Sequence, residues 1–287
     1  MENNQTLFQA VGIIKGDVEI ASEPGKPSII SIQGKDYAVL YIPNKQGFKA
    51  LDALKREIEA TGTNQRLIVY PKITHFPGRD KPYQVAFQLV GFDRGSQTAG
   101  IGVDLNDFEF KISGLWQFIP VCPTPCISVF KNFTDERLEY VKQSEVYKRV
   151  KFMKGSHIPI LWKDAPVKPF RFNPKIEKEE QGKPVFVAVK AKFLPNRNVF
   201  GFDSLLGMPQ EDAPKFFKAS KKMKALALQE SKSFKAAKNS EKIEKVESAE
   251  TPLPKPKKAE KAEKAEKVES PESSKQPLPM PKPKCKN

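Results

Sequence analysis

An internal repeat of about a hundred residues is the feature that most constrains how this chain can fold. Short segments of the first half recur in the second half, in the same order and at similar spacing. The echoes are "VGIIKG" around Gly12 with "SGLWQF" around Gly114; "LIVYPK" with "IPILWK"; Lys81-Pro82 with Lys183-Pro184; and Gly91-Phe92-Asp93 with Gly201-Phe202-Asp203. An ordered series of this kind favours the duplication of one domain. We therefore predict two similar domains, residues 1–95 and 108–207, joined by a linker at 96–107.

The stretch from Arg66 to Phe92, "RLIVYPKITHFPGRDKPYQVAFQLVGF", contains two strand-like runs. In the second run, alternate residues are apolar, which is typical of a strand with one face in a core and one in water. In the first run Leu67 and Val69 share the inward parity, whereas the outward parity mixes cations with aromatic rings. The pattern predicts a long hairpin whose outer face and tip are basic and aromatic.

The order of the elements in each copy predicts the fold. In the first copy a strand from about Phe8 to Ile20 and a hairpin precede an amphipathic helix that ends at Gly62. In the second copy "TDERLEYVKQSEVYKRVKFMKG", with Thr134 as its N-cap, is predicted to fill the same helix slot. A five-stranded barrel with its helix between strands three and four is an OB-fold. The predicted fold is mostly β: tandem OB-like five-stranded barrels, each with one helix, followed by a basic helix and a disordered low-complexity tail.

Two segments of the first copy resemble a known family. "FQAVGIIKGDVEI" resembles the first strand of bacterial single-stranded DNA-binding proteins, and "LKREIEATGTNQRLIVYPKITHFPGRDKPYQVAFQLVGF" resembles their helix and long gripping hairpin. The resemblance covers about 85 residues of the first copy and only the skeleton of the second. The acidic, Phe-ended C-terminal tip of that family is absent, because this chain ends in the basic "MPKPKCKN". The resemblance implies a binding face made of the concave strand surface and the hairpin.

Candidate binding residues follow from the chemistry of single-strand recognition. Bases stack on aromatic side chains, and cations follow the phosphates. In the first copy the predicted nucleic-acid-binding residues are Tyr70, Lys72, Phe76, Arg79 and Lys81. In the second copy they are Trp162, Lys163, Arg171, Phe186, Lys190 and Lys192. Phe186 is expected to be exposed beside the two lysines of its strand.

The positive charge is concentrated near the C-terminus. Of the net charge of +15, residues from Lys215 to Asn287 carry +10, with 20 lysines against 10 glutamates. Such a surplus favours polyanions such as nucleic acid. We predict a basic helical segment at 208–238 that could dock on the barrels, on a protein partner or on a membrane surface. Residues 239–287, rich in Lys, Glu, Pro and Ala, are predicted to be a disordered tether or a solubilising tail.

The cysteines and histidines do not predict a metal site. Cys122 and Cys126 in "CPTPC" could be half of a zinc site, but no second pair follows, and His75 and His157 are isolated in the sequence. The expectation is therefore buried or free thiols and no bound metal. Cys285, in the basic tail, is expected to be an exposed thiol.

The sequence predicts neither catalysis nor a membrane span. It contains no glycine-rich phosphate loop and no clustered carboxylates, so we expect no enzymatic activity and no cofactor. No apolar run approaches the roughly 20 residues that span a bilayer, and the N-terminus lacks the pattern of a signal peptide. The expected location is the cytoplasm.

Together these features predict binding of single-stranded nucleic acid, RNA or DNA, with weak sequence preference. The alternative is a scaffold or assembly factor whose barrels bind proteins and whose tail is a solvated tether. Aromatic and basic side chains gathered on one open face would favour nucleic acid. A neutral face with an apolar groove would favour a protein partner.

Overall fold

The structure is a computed structural model that describes residues 6–21, 23, 26–42, 44–78, 81–93, 104–177 and 179–230. These residues form a mostly β structure. Its strands are β1 Gln9–Glu19, β2 Ser28–Ile32, β3 Lys35–Leu40, β4 Asn64–Thr74, β5 Gln84–Phe92, β6 Glu109–Gln117, β7 Cys126–Val129, β8 Ser156–Leu161, β9 Phe186–Leu194 and β10 Val199–Leu205. Its helices are α1 Lys45–Thr61, α2 Asp135–Gln143 and α3 Val146–Phe152, and residues 221–230 are also helical. No helix in the described part of the chain is long and apolar enough to span a membrane.

β1 to β5 close into a five-stranded barrel, called here the first ring. The pairs β1–β2, β2–β3, β4–β5 and β1–β4 are antiparallel, and β3–β5 is parallel. α1 lies between β3 and β4, as in an OB-fold. The Asn44 side chain caps α1 by accepting from the Gly47 N–H at 2.7 Å, and Gly62 ends the helix with a φ of 93°. The predicted first strand, helix and hairpin are confirmed in this half.

β6 to β10 close a second ring with the same order of pairing. The pairs β6–β7, β7–β8, β9–β10 and β6–β9 are antiparallel, and β8–β10 is parallel. The prediction of one helix in the equivalent slot is wrong, because α2 and α3 lie between β7 and β8, the second and third strands of this ring. Two helices form because Ser144 adopts an extended backbone, with φ −73° and ψ 157°, that ends α2.

The middle of the predicted repeat is out of register with the strands. Gly12 and Gly114 do lie in the first strand of each ring, β1 and β6, and Gly91 and Gly201 in the fifth. "LIVYPK", however, is in a fourth strand, β4, whereas "IPILWK" is mostly in a third strand, β8. α2 and α3, which precede β8, together contain about as many residues as α1, which follows β3. The two echoes are therefore similarly spaced although they lie in different strands. The similar spacing of these two echoes is therefore not evidence of equivalent positions.

The two rings share one core, because β1 also pairs with β6. The Tyr37 ring of the first ring meets the Phe193 ring of the second at 5.4 Å, and the Tyr37 hydroxyl lies 2.8 Å from Asn198 Oδ1. Phe87 likewise contacts Phe193 at 5.3 Å and Phe110 at 6.2 Å. These buried aromatic contacts stabilise one compact unit that contains both rings.

The segment after β10 packs on the second ring. The Gln210 backbone forms two hydrogen bonds with Phe186, and the Phe216 ring stacks on Phe130 at 4.6 Å. Residues 208–220 are not helical, in contrast to the predicted helical segment 208–238, because Pro209 and Pro214 interrupt it. Several predicted features lie outside the described residues: the part of that segment beyond residue 230, residues 96–103 of the linker, the tail at 239–287 and Cys285.

The two rings are closely packed at Gly12, where an added Cβ would lie 2.2 Å from the Phe110 ring and 2.6 Å from Glu109 O. We expect Gly12→Ala to lower the free energy of unfolding by about 1–3 kcal/mol through overpacking. The matched control is Gly91→Ala, also in a strand, where an added Cβ would meet no atom within 4 Å. Equal stability of the two variants in urea unfolding would contradict this account of the joint.

Candidate functional site

The hairpin of β4 and β5 packs against the second ring. His75 Nε2 lies 2.8 Å from the backbone oxygen of His157, and the two rings are 6.3 Å apart. Tyr70, Lys72 and Phe76 are half-buried. Lys81 is exposed, and Arg79 lies outside the described residues. The predicted tip therefore forms part of a joint between the rings rather than a free arm.

The predicted residues of the second half are divided among different environments. Trp162 stacks on Phe202 at 4.4 Å with an interplanar angle of 4°, so one face of its indole is covered. Arg171 lies over the Phe118 ring at 4.4 Å, and Lys163 is exposed. Lys190 forms an ion pair with Glu109 at 2.6 Å, whereas Lys192 is exposed.

The expectation that Phe186 is exposed is wrong. Its side chain is 2% exposed and makes an edge contact with Phe8 at 5.4 Å. The Phe186 side chain belongs to a small apolar cluster with Phe8, Leu115 and Phe130, and Phe216 of the segment after β10 packs against that cluster. Bases cannot stack on this ring in the folded protein.

A group of cations from both rings gathers around Lys72. Lys72 is close enough to Lys154 and Lys131 for their charges to interact, and Lys131 interacts in turn with Arg137 and Lys151. Lys154, Lys218 and Lys224 all act on His157, which connects the two sides of the group. We define the basic cluster as Lys72, Lys131, Arg137, Lys151, Lys154, Lys218 and Lys224.

The charges of the basic cluster are not neutralised by nearby acids. Within the described residues, none of its members lies within 4.0 Å of a carboxylate oxygen. Other lysines on the same helices are paired: Lys142 with Glu139 at 2.7 Å and Lys148 with Glu145 at 2.9 Å. The cluster is therefore a local excess of positive charge rather than an average stretch of surface.

Partial burial and mutual repulsion lower the pKa of several cluster lysines. The pKa of Lys72 is lowered first by burial and then by Lys154. Burial and then Arg137 lower the pKa of Lys131, and burial and then Lys224 lower that of Lys218. A bound anion would relieve this repulsion, which is the electrostatic condition for phosphate binding.

Aromatic rings lie between these cations. Lys131 Nζ is 4.8 Å from the centre of the Phe152 ring, and the Arg137 guanidinium is 6.0 Å from it. Tyr140 meets Phe152 at 6.3 Å and is 62% exposed. On the other side Lys218 Nζ lies 5.0 Å from the Phe216 ring. Of the predicted residues that the structure describes, only Lys72 belongs to this surface. A sequence signal for Lys151 and Lys154 was available in the dense mixture of bases and aromatics in "YVKQSEVYKRVKFMK".

The histidines and two cysteines, expected to be far apart, are neighbours in the fold. His75 lies beside Cys122, and Cys122 lies beside Cys126. Even so, no three or more His, Cys, Asp or Glu side chains among the described residues are placed to hold a metal ion. Both thiols are free and buried, in agreement with the sequence-based expectation.

Comparison with known proteins gives little guidance. No model of a known protein family matches the chain. No curated protein matches it either. A solved structure of a deletion mutant of the single-stranded DNA binding protein from Thermus aquaticus has 11% identity and a TM-score of 0.28, over 74% of this chain and 96% of that chain.

The pKa of His157 is lowered from 6.5 to about 4, first by burial and then by the charges of His75 and Lys218. Between those two pH values the unfolded chain binds a proton that the folded chain does not, so stability should be lost as the pH falls. We expect the stability advantage of the wild type over His157→Gln to shrink by on the order of 2 kcal/mol from pH 7 to pH 4. The pKa of His75 is raised, so its contribution to stability changes with pH in the opposite direction. Because both proteins contain His75, this contribution largely cancels in the difference between them. A difference that does not change with pH in urea unfolding would show that His157 is not held neutral.

Proposed function

We propose that this protein binds single-stranded nucleic acid, RNA or DNA, through the basic cluster and the aromatic rings among its cations, with weak sequence preference. The observation that carries the proposal is that these cations have no carboxylate partner among the described residues, whereas lysines on the same helices do. Unpaired, mutually repelling cations are stabilised by a polyanion, because its phosphates replace the missing counter-charges.

The mixture of charge and aromatic area supports a single strand as the ligand. In a single strand the base faces are available for stacking, which contributes about 1–3 kcal/mol per base. Tyr140 offers an exposed ring next to Phe152, and Lys131 lies over Phe152 within reach of a phosphate beside a stacked base. RNA and DNA share phosphates and base faces, so the proposal includes both. Stacking and charge do not distinguish one base from another, which supports weak sequence preference.

We further infer that the two rings are tandem copies of one OB-like domain. Their identical order of strand pairing supports this, as does the position of Gly12 and Gly114 in corresponding strands. The helices α2 and α3 would then be an insertion that gave the second copy its binding surface. The remaining predicted contacts, among them Phe76, Lys81, Trp162 and Lys192, stay predictions for a secondary surface.

The residues beyond 230 are proposed to act as a basic tether. Residues 231–287 contain 15 lysines and nine glutamates and so carry a net charge of +6. Truncation after Glu230 keeps Phe216 and the rest of the packed segment, so the rings should stay folded. We expect the truncated protein to bind single strands more weakly and with a lower salt dependence, as measured by fluorescence anisotropy. Unchanged affinity and salt dependence would make the tail a spacer or a solubiliser.

Neutralising the cluster tests the electrostatic part of the proposal. Each phosphate contact on a single strand adds about 0.7 to the slope of log affinity against log salt. We therefore expect the triple variant Lys72→Gln, Lys131→Gln, Lys154→Gln to lower that slope by up to about 2, with a matching loss of affinity at low salt.

The matched control replaces three lysines that already have acidic partners. Lys26, Lys142 and Lys148 each form an ion pair with a glutamate three residues earlier. Changing these three to Gln removes the same net charge but should leave the salt slope nearly unchanged. Equal losses in the two triple variants would mean that only total charge matters and that the cluster is not a site.

Stacking is tested with two aromatic side chains of similar exposure. Tyr140 is 62% exposed within the basic surface, and Phe172 is 64% exposed near Arg171. We expect Tyr140→Ala to weaken binding of an oligonucleotide by about 1–3 kcal/mol with little change in salt slope. Phe172→Ala should have no such effect. The reverse result would move the site to the predicted Trp162 and Arg171 surface, and no effect in either variant would favour the protein-scaffold alternative.

A further inference from the structure

Two cysteines and a histidine that the nucleic-acid surface does not use meet beneath the hairpin tip. Cys122 and Cys126 flank "PTP" in the loop that leads from β6 into β7. Cys122 lies close enough to Cys126 and to His75 for its charge to interact with both. The prolines at positions 123 and 125 fix their φ angles, so this loop holds the two thiols close together.

The orientation of His75 suits the activation of a thiol. Its Nε2 atom lies 2.8 Å from the backbone oxygen of His157, and because a carbonyl oxygen only accepts, Nε2 carries the proton. The Nδ1 atom is buried and makes no regular hydrogen bond to any described residue, so it is left to interact with the sulfur beside it. A backbone carbonyl thus orients the imidazole towards a thiol, the arrangement that activates cysteine nucleophiles.

The two thiols differ in accessibility and in protonation. Cys126 is 0% exposed and donates to Thr124 O at 3.4 Å, whereas Cys122 keeps 4% of its surface open. The pKa of Cys122 is lowered to about 5 by its neighbours, first Cys126 and then His75, and that of Cys126 is raised by Cys122 and by burial. Both residues are buried, and Cys122 is the slightly more exposed and the more acidic of the two thiols.

We propose that Cys122 and Cys126 form a reversible redox pair, in which Cys122 is the attacking thiolate, Cys126 is the resolving thiol and His75 is the positioning residue. This site is independent of nucleic-acid binding. It differs from a pair of inert core thiols by the imidazole beside Cys122. It differs from a metal site because no three His, Cys, Asp or Glu side chains among the described residues are placed to hold an ion together.

The oxidant required is a small disulfide, such as oxidised glutathione. The Cys122 thiolate attacks one of its sulfurs, so a protein–glutathione bond forms and one glutathione thiolate leaves. Cys126 then loses its proton to solvent, attacks the Cys122 sulfur and expels the second glutathione thiolate. The two protein thiols are oxidised to one disulfide, and the small disulfide is reduced to two thiols that take up the two protons.

The experiment uses the full chain with Cys285→Ser, so that only these two thiols remain of the three in the sequence. The folded protein is incubated with oxidised glutathione and analysed by intact mass and peptide mapping. We expect the loss of two hydrogen atoms, a Cys122–Cys126 linkage and full reversal by dithiothreitol. In the same background Cys126→Ser should stop at the mixed disulfide on Cys122, and Cys122→Ser should not react.

The pH dependence of alkylation separates activation by His75 from mere proximity. With iodoacetamide, Cys122 should react first and remain reactive well below pH 8.5, the ordinary cysteine pKa. His75→Gln should slow this reaction at pH 6–7 by roughly tenfold and move its profile upward. A thermal melt confirms that each variant is folded. The proposal would be overturned if the thiols react only after unfolding in urea, or if the alkylation rate does not depend on His75. If Cys126→Ser does not fold, these alkylation rates still test the proposal.

Discussion

β1 is hydrogen-bonded to three different strands along its length, and the arrangement of both rings depends on this sharing. Its end at Asp17 to Glu19 pairs with β2, its middle with β4, and its beginning at Gln9 to Gly12 with β6. Gly12 belongs to two of these pairings and allows Phe110 to approach the backbone. One strand therefore closes the first ring and attaches the second to it. The aromatic core around Phe87 and Phe193 is buried as a consequence.

The basic surface follows from the same joint. Lys72 is on β4 of the first ring, whereas Lys131 and Lys154 lie on either side of α2 and α3 in the second. Their charges interact only because the two rings are held side by side, and burial and repulsion then lower the pKa of Lys72 and of Lys131. The His75–His157 contact lies between the cluster and the cysteine pair, so two different kinds of chemistry share this part of the joint.

Local patterns predicted most of the first ring, and long-range contacts account for the errors elsewhere. The period-2 runs and the Gly62 cap identify β4, β5 and α1, because alternation and capping are properties of neighbouring residues. The Thr134 cap indicates a helix but cannot say between which strands of a ring it falls. Phe186 was predicted to be exposed because the side chains that bury it, among them Phe8 and Phe130, come from distant parts of the sequence. Most of the basic cluster was missed for the same reason: Lys154 and Lys218 are far apart in the sequence from the predicted Lys72, and only the folded chain brings the charges of the cluster together.

The central claim is that the basic cluster, with the aromatic rings between its cations, is the surface that binds single strands. The most direct test is photo-crosslinking of the full-length protein to an oligonucleotide that carries a photoreactive pyrimidine, with the attached peptides identified by mass spectrometry. The account predicts crosslinks within residues 131–154, at or next to Tyr140 and Phe152, and none within 163–172. Crosslinks confined to 163–192, or no crosslink at all at a saturating concentration of oligonucleotide, would contradict it.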